Sequence, residues 1–350
     1  MITIDGSYGE GGGSIIRLAL PLSYHTKKPV TIFNIRAKRR NPGLQTQHLI
    51  GIRLFHQLVG GKLEGDKKRS TKIVYYPPED KKPLNTDLRT KIETAGNIGL
   101  VIQILQNTCF SLKQDFNVSI TGGATHGKWA PTMEYLQEVT FPFLEHLGVK
   151  IKAKIEKYGF YPKGGAKVFI EFKPVLKKNS VLELLDENLE IKKVNIISIE
   201  SLSLAQHRVA ERQLKAAEKI LSSKGIEISK TESMSVKTLS PGSSILVYSV
   251  IPGSYFIGTD NLGEKGVRAE TIGEKPAKHF LELVDWKVTI DEYLSDQIIL
   301  PAVFSGTKVK VRVPVFTKHA QTNAWLIEKF LPNTLIRFEK EDNGGLLIIN

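Results

Sequence analysis

Five segments of this 350-residue chain carry side chains suited to phosphate chemistry. The first is the loop Asp5-Gly-Ser-Tyr-Gly-Glu-Gly-Gly-Gly13, with Arg17 one helical turn into the segment that follows. Glycines there admit positive φ and close backbone approach, and a helix N-terminus favours an anion. A carboxylate beside a phosphate site needs a metal between them. Glu10, the loop amides and Arg17 together therefore suit a metal–nucleotide, and the plain alternative is a flexible turn. The second segment is Ile35-Arg-Ala-Lys-Arg-Arg-Asn-Pro-Gly-Leu44, in which Arg36, Lys38, Arg39 and Arg40 are closed off by an Asn-Pro-Gly turn. Gln47 and His48 follow at the start of the next helix. This is either a phosphate-binding loop or a solvated basic one.

Two further segments are polar interruptions of apolar helices. Gln103 breaks Leu100-Val-Ile-Gln-Ile-Leu105, and Tyr293, Asp296 and Gln297 share one helical face at i, i+3 and i+4. A buried polar face needs partners, which a cofactor or backbone carbonyls could supply. The fifth segment is Thr317-Lys-His-Ala-Gln-Thr-Asn323, where His319 precedes a helix with an expected cap at Thr322 or Asn323. A helix N-terminus keeps an imidazole neutral near pH 7, and a neutral imidazole can attack phosphorus to form a phosphoramidate. His25, His56, His146 and His279 lie among ordinary helix residues and read as packing or surface groups.

Two nucleotide motifs fail. Gly122-Gly-Ala-Thr-His-Gly-Lys128 matches a P-loop except that Trp129 stands where a Ser or Thr hydroxyl is required. The ligase motif Lys-x-Asp-Gly fails because Thr3-Ile4 precede Asp5-Gly6. Lys67-Lys-Arg69 reads as a hairpin tip.

The elements that must position these groups alternate along the chain. Strands are expected at 2–4, 30–35 and 117–121, and helices at 15–22, 45–59, 94–109 and 132–147. The character changes from about Pro174, with a polar break at Lys177-Lys-Asn-Ser180. Residues 181–283 carry their own strands (191–199 and 245–250) and helices (206–221 and 277–284). The earlier style resumes with a helix at 291–304, a strand at 308–313 and a helix near 322–330. The chain is an α/β or α+β protein with helices covering sheets. The boundaries divide it into 1–179, 180–284 and 285–350, the middle part inserted into a larger domain; domains in series are the alternative. No residue motif recurs clearly enough to assert internal repeats.

Composition narrows the class. At about 150 residues per domain the length gives about two domains. The 49 Lys and Arg exceed the 36 Asp and Glu, a net charge of +13, which suits a polyanionic partner. One cysteine, Cys109, excludes an internal disulfide and a multi-Cys zinc site. The N-terminus lacks a leader pattern and the longest apolar runs are too short to span a membrane, so a cytoplasmic location is expected.

Together the segments resemble the RNA 3′-terminal phosphate cyclases nearly end to end. Beyond the glycine and basic loops, the resemblance rests on Gly159-Phe-Tyr-Pro-Lys-Gly-Gly165, Gly263-Glu-Lys-Gly266 with Ala269-Glu270, Tyr293-Leu-Ser-Asp-Gln297, and His319 with Thr322-Asn323. It implies a large domain of three repeated units, each a four-stranded sheet with two helices, and a smaller inserted α/β domain. It implies that His319 takes AMP from ATP, passes it to an RNA 3′-phosphate, and that the vicinal 2′-OH closes a 2′,3′-cyclic phosphate, assisted by Mg²⁺ or Mn²⁺. By position, the resemblance makes Glu10 the metal-proximal carboxylate. Arg17, Arg36 and Arg39 become phosphate ligands, and Gln47 and His48 become contacts to the RNA end or to phosphate. Gln103, Pro131, Tyr293, Asp296 and Gln297 surround the nucleotide. Ser14 departs from a frequent Gln, Ala166 from a frequent Gly, and Ala320-Gln321 varies; none removes a group the chemistry requires. Two other classes share parts of this pattern. One is a non-catalytic cyclase-like RNA-binding or ribosome-assembly factor, which would lack His319. The other is a transferase of related architecture, such as an enolpyruvyl transferase, which would bind small anions.

Overall fold

The computed structural model describes residues 1–79, 85–128, 130–175, 180–186 and 189–350. Trp129 and Lys177–Asn179 of the polar break lie outside them. The first unit runs β1 (Ile2–Asp5), α1 (Ser14–Thr26), β2 (Val30–Phe33), α2 (Thr46–Val59), β3 (Lys62–Glu64) and β4 (Ile73–Tyr76). Its sheet has the order β1-β2-β4-β3, with β1 and β2 parallel and the other pairs antiparallel.

The second unit repeats this plan with β5 (Asp87–Asn97), α3 (Ile98–Cys109), β6 (Phe116–Ala124), a second helical segment, β7 (Val149–Lys157) and β8 (Lys167–Pro174). The helical segment comprises α4 (Met133–Tyr135), a π-helical turn (Leu136–Thr140) and α5 (Phe141–His146), with Pro142 in the first turn of α5. The order β5-β6-β8-β7 and its strand directions match the first sheet.

The third unit opens with β9 (Val181–Leu184) and is then interrupted. The intervening elements are β10 (Lys193–Ser201), a 3₁₀ turn (Leu202–His207), α6 (Val209–Ser223), β11 (Glu227–Val236), β12 (Ser243–Ile251), β13 (Tyr255–Leu262) and α7 (Ala269–Asp285). They form a sheet of their own, β11-β10-β12-β13. The unit resumes with α8 (Glu292–Ser305), β14 (Lys308–Val313), α9 (Lys318–Phe330), β15 (Ile336–Glu341) and β16 (Gly344–Ile349). β9 pairs in parallel with β14, across the interruption. The expected boundary at 180 therefore falls one strand early, because Val181–Leu184 belong to the sheet of the third unit.

The repeat lies in strand order and pairing, not in residues. A strand of this plan demands only alternating apolar positions and a helix only an apolar stripe, which many sequences satisfy. The inserted sheet is apolar on both faces. Val194, Ile196, Ile245 and Val247 pack with Leu214, Ala217 and Phe280 in one cluster, while Ile197, Ile199, Leu246 and Phe256 join the main core.

Asp291 ties these parts together. It caps α8 by accepting the amides of Tyr293 and Leu294, both at 2.9 Å. It also accepts the Tyr135 hydroxyl of the second unit at 2.5 Å and the Gly258 amide of the inserted sheet at 3.0 Å. The residue is fully buried.

Three expected helix starts shift by four residues or more. Residues 94–97 end β5 rather than opening α3, because the Asn97 side chain accepts the Leu100 amide and caps the helix. The helix expected from 277 begins at Ala269. The last helix begins at Lys318, not near Thr322: Thr317 is its cap, its hydroxyl accepting the Ala320 amide at 2.9 Å. His319 is thus the second residue of α9, inside the turn where the helix dipole acts.

Candidate active site

Helices of all three units meet at the glycine loop. Gly9 has φ 56°, and a Cβ there would stand 2.3 Å from the Thr322 hydroxyl of α9. At Gly13 a Cβ would stand 2.4 Å from His48 Nε2 and 2.8 Å from Arg17 Nη1. These two positions must be bare for the loop to sit between α9 and the start of α2. Gly13 gives α1 no side-chain cap, so its first amides remain available to an anion.

Glu10 is the hub. Its Oε2 lies 2.6 Å from His319 Nδ1, and its Oε1 lies 2.5 Å from Arg39 Nη2. Those partners, His319 first, hold its carboxyl down at about 2 against the effect of burial. Glu10 is therefore ionised throughout the physiological range. A carboxylate beside Nδ1 favours the tautomer with its proton on that nitrogen, in which the Nε2 lone pair is free. The His319 side chain is 44% exposed, so that nitrogen can meet a substrate.

Arg17 lies against the second unit. Its Nε donates to Gln103 Oε1 at 2.5 Å, and its carbonyl accepts from Asn107 Nδ2 at 3.4 Å. Burial lowers the guanidinium to about 10, which leaves it cationic. Gln103 thus has a partner that neither sequence alternative named. His48 Nδ1 accepts the Gln45 amide at 3.1 Å, so its neutral ring carries the proton on Nε2. Burial first, then Arg17 and Arg36, push His48 down to about 3. A ligand would meet it as a neutral donor, not as a cation. Gln47 Oε1 accepts the Asn97 amide at 3.4 Å.

Arg39 and Arg17 face the Glu10 carboxylate, and Arg36 lies beside Arg39. Burial and Arg39 lower the pKa of Arg36, whose backbone sits in the left-handed region at φ 55°. Buried Nε atoms of Arg36 and Arg39 and the buried hydroxyl of Ser14 have no hydrogen-bond partner. Buried donors left open are costly and answer to a ligand rich in acceptors, such as a polyphosphate.

The α8 face lies on the other side of His319. The Thr317 hydroxyl donates to Asp296 Oδ1 in a very short hydrogen bond, and Asn323 Nδ2 donates to the Asp296 carbonyl at 2.9 Å. Gln297 Nε2 donates to the Tyr293 carbonyl at 3.0 Å, the backbone alternative for that residue. Tyr293 is exposed and meets Tyr135 edge-on at 6.4 Å. Pro131 lies beside the start of α3, its carbonyl 3.7 Å from the Cβ position of Gly99. Sequence reasoning missed Thr317 as the cap and as the partner of Asp296. A Thr three residues after Pro314, at the end of a strand, was the available signal.

Burial raises Asp296 to about 6, with the Thr317 hydrogen bond pulling the other way. The folded pKa lies above the unfolded one, so the folded state holds the extra proton. The stability this contributes is complete below about pH 3.8 and is lost as pH rises through about 6. Asp296→Asn should flatten the thermal midpoint between pH 4 and 7. An unchanged slope in that variant would assign the titration to another group.

A metal has a narrow place here. Among the described residues no group of three or more His, Cys, Asp or Glu side chains could hold one. Mg²⁺ with a nucleotide needs fewer, since one carboxylate, substrate phosphates and waters complete its shell. Glu10 fits as that single carboxylate through lone pairs not used by Arg39 and His319.

Among the described residues no helix is long and apolar enough to cross a membrane. The family described as RTC, RNA 3′-terminal phosphate cyclase, matches residues 8–336. The chain is 41% identical over 333 residues to the RNA 3′-terminal phosphate cyclase of Pyrococcus furiosus, covering 94% of this chain and 93% of that one. It is 38% identical over 346 residues to the protein of that name from Thermococcus onnurineus, covering 99% and 97%. Against the one from Pyrobaculum aerophilum it is 34% identical over 344 residues, covering 98% and 96%.

Proposed function

Since the chain belongs to the RNA 3′-terminal phosphate cyclase family, we propose that it converts an RNA 3′-terminal phosphate to a 2′,3′-cyclic phosphodiester at the expense of ATP. The observation that carries the mechanism is the Glu10–His319 contact at 2.6 Å, which presents Nε2 as the free nucleophile. His319 Nε2 attacks the α-phosphorus of ATP. An N–P bond forms, the α–β P–O bond breaks, and pyrophosphate departs. An oxygen of the RNA 3′-phosphate then displaces the imidazole and takes the AMP. The vicinal 2′-OH attacks that activated phosphate, losing its proton, and AMP leaves with the pair of electrons from the broken P–O bond.

Arg17, Arg36 and Arg39 offset the phosphate charge, with the α1 amides and Ser14 as further donors. Pro131, Tyr293, Asp296 and Gln297 flank the nucleotide, with Gln103 acting through Arg17. Gln47 and His48 meet the RNA end. Mg²⁺ or Mn²⁺, held by Glu10 and the phosphates, would shield charge on the polyphosphate.

Glu10 thus has two roles, and one substitution separates them. Glu10→Gln should slow adenylate transfer to the protein by about 10²–10⁴-fold, as loss of the orienting carboxylate does in hydrolase triads. The loss should persist at saturating Mg²⁺, because the tautomer is set by the side chain. Restoration by excess Mg²⁺ would make Glu10 a metal ligand first.

A further inference from the structure

The second sheet turns one face to the core and the other to solvent. Leu88, Val118, Ile151 and Ile170 point inward, and the residues between them point out. Across the middle of the outward face the register aligns Arg89, Ser119, Phe169 and Lys154. Phe169 is half-buried, while Arg89 and Lys154 are exposed. An aromatic ring flanked by two cations is the pattern of a single-strand platform, on which bases stack and phosphates are neutralised. The row beside it, with Lys152 opposite Glu171, is more mixed.

Two cross-strand pairs place lysine opposite lysine, Lys150 with Lys173 and Lys157 with Lys167. Like charges directly opposite destabilise a sheet. Glu145 and Glu156 answer one lysine of each pair, Lys150 and Lys167. Among the described residues Arg89, Lys152, Lys154 and Lys173 form no ion pair. The equivalent outward row of the first sheet reads Thr3, Thr31, Val74 and Glu64, so the fold does not require this charge.

The face also connects to the active site. β5 carries Arg89 and ends at Asn97, whose amide binds Gln47. Eight residues of strand at about 3.3 Å each span at most ~26 Å. We infer that RNA lying upstream of the reacting 3′ end runs along β5 and over this sheet face, its bases on Phe169 and its phosphates on Arg89, Lys152 and Lys154. The inference rests on the cyclase reading and adds to it the place of the RNA body.

The test compares two 3′-phosphorylated probes on the full chain: a dinucleotide, and an oligonucleotide of about 15 nucleotides, near the upper site size of a single-stranded platform. The wild type should bind the longer probe at least about 10-fold more tightly. Combined Arg89→Glu, Lys152→Glu and Lys154→Glu should erase that ratio and lower the salt slope by about 2, the value for three lost phosphate contacts on a single strand. Phe169→Ala alone should weaken the longer probe by about 5-fold or more. A wild-type ratio in the triple variant would overturn the inference. A wild type that converts both probes but binds them equally would overturn the inference and leave the cyclase reading standing. A wild type that converts neither would overturn both.

Discussion

His319→Ala should cost at least about 10³-fold in cyclisation of 3′-phosphorylated RNA, the scale on which removal of a nucleophile acts. The loss belongs to one step. On the proposed mechanism His319 is needed to take AMP from ATP, whereas closure of the ring uses the 2′-OH of the RNA itself. An RNA end supplied already activated, with AMP joined through its 3′-phosphate, should therefore be cyclised by the variant much faster than the ordinary end. The side chain is partly exposed on the first turn of α9, and Thr317 keeps its cap, so the melting temperature should change little. Ordinary turnover by a folded His319→Ala protein would remove the histidine from the mechanism.

Asp291→Ala should produce the largest loss of stability. Four donors converge on this buried carboxylate, from Tyr135, Gly258, Tyr293 and Leu294. Each buried donor left open costs about 1–3 kcal/mol, and partial relaxation leaves a net loss of ~3 kcal/mol or more. At about 2–4 °C per kcal/mol the midpoint should fall by about 6–12 °C. The donors come from the second unit, the inserted sheet and α8. The substitution should therefore also loosen the α8 face carrying Tyr293, Asp296 and Gln297, and weaken nucleotide binding. A midpoint within about 1 °C of wild type would show that the network does not hold these parts together.

Much of the site was legible from residue types. Glycines around one carboxylate, four cations before an Asn-Pro-Gly turn and a histidine beside a helix each name a chemistry before any fold is known. Their convergence was not legible. Glu10 and His319 are separated by most of the chain, and only the packing of α1 against α9 brings them together. The three repeated units followed from the family resemblance and not from any recurring motif, because their identity lies in strand order, which apolar alternation does not encode. β9 was assigned to the inserted part because its partner, β14, lies beyond the interruption. The start of α9 was misplaced because Thr322 and Thr317 are both acceptable caps locally. The structure selects Thr317, whose hydroxyl also meets Asp296 on another helix.

Asp296 and His48 show what burial adds. From sequence both are ordinary polar residues near a phosphate site. Burial brings one to about 6 and the other to about 3. The first can change charge in a mildly acidic solution, and the second stays neutral. Neither property follows from spacing.

The central claim is that His319 carries AMP. Its most direct test is incubation of the protein with α-labelled ATP and Mg²⁺, followed by denaturation. The account predicts label that stays on the chain, survives base, is released by acid as a phosphoramidate should be, and is absent from His319→Ala. A folded, ATP-binding protein that takes up no label, or one labelled equally in the variant, would contradict it.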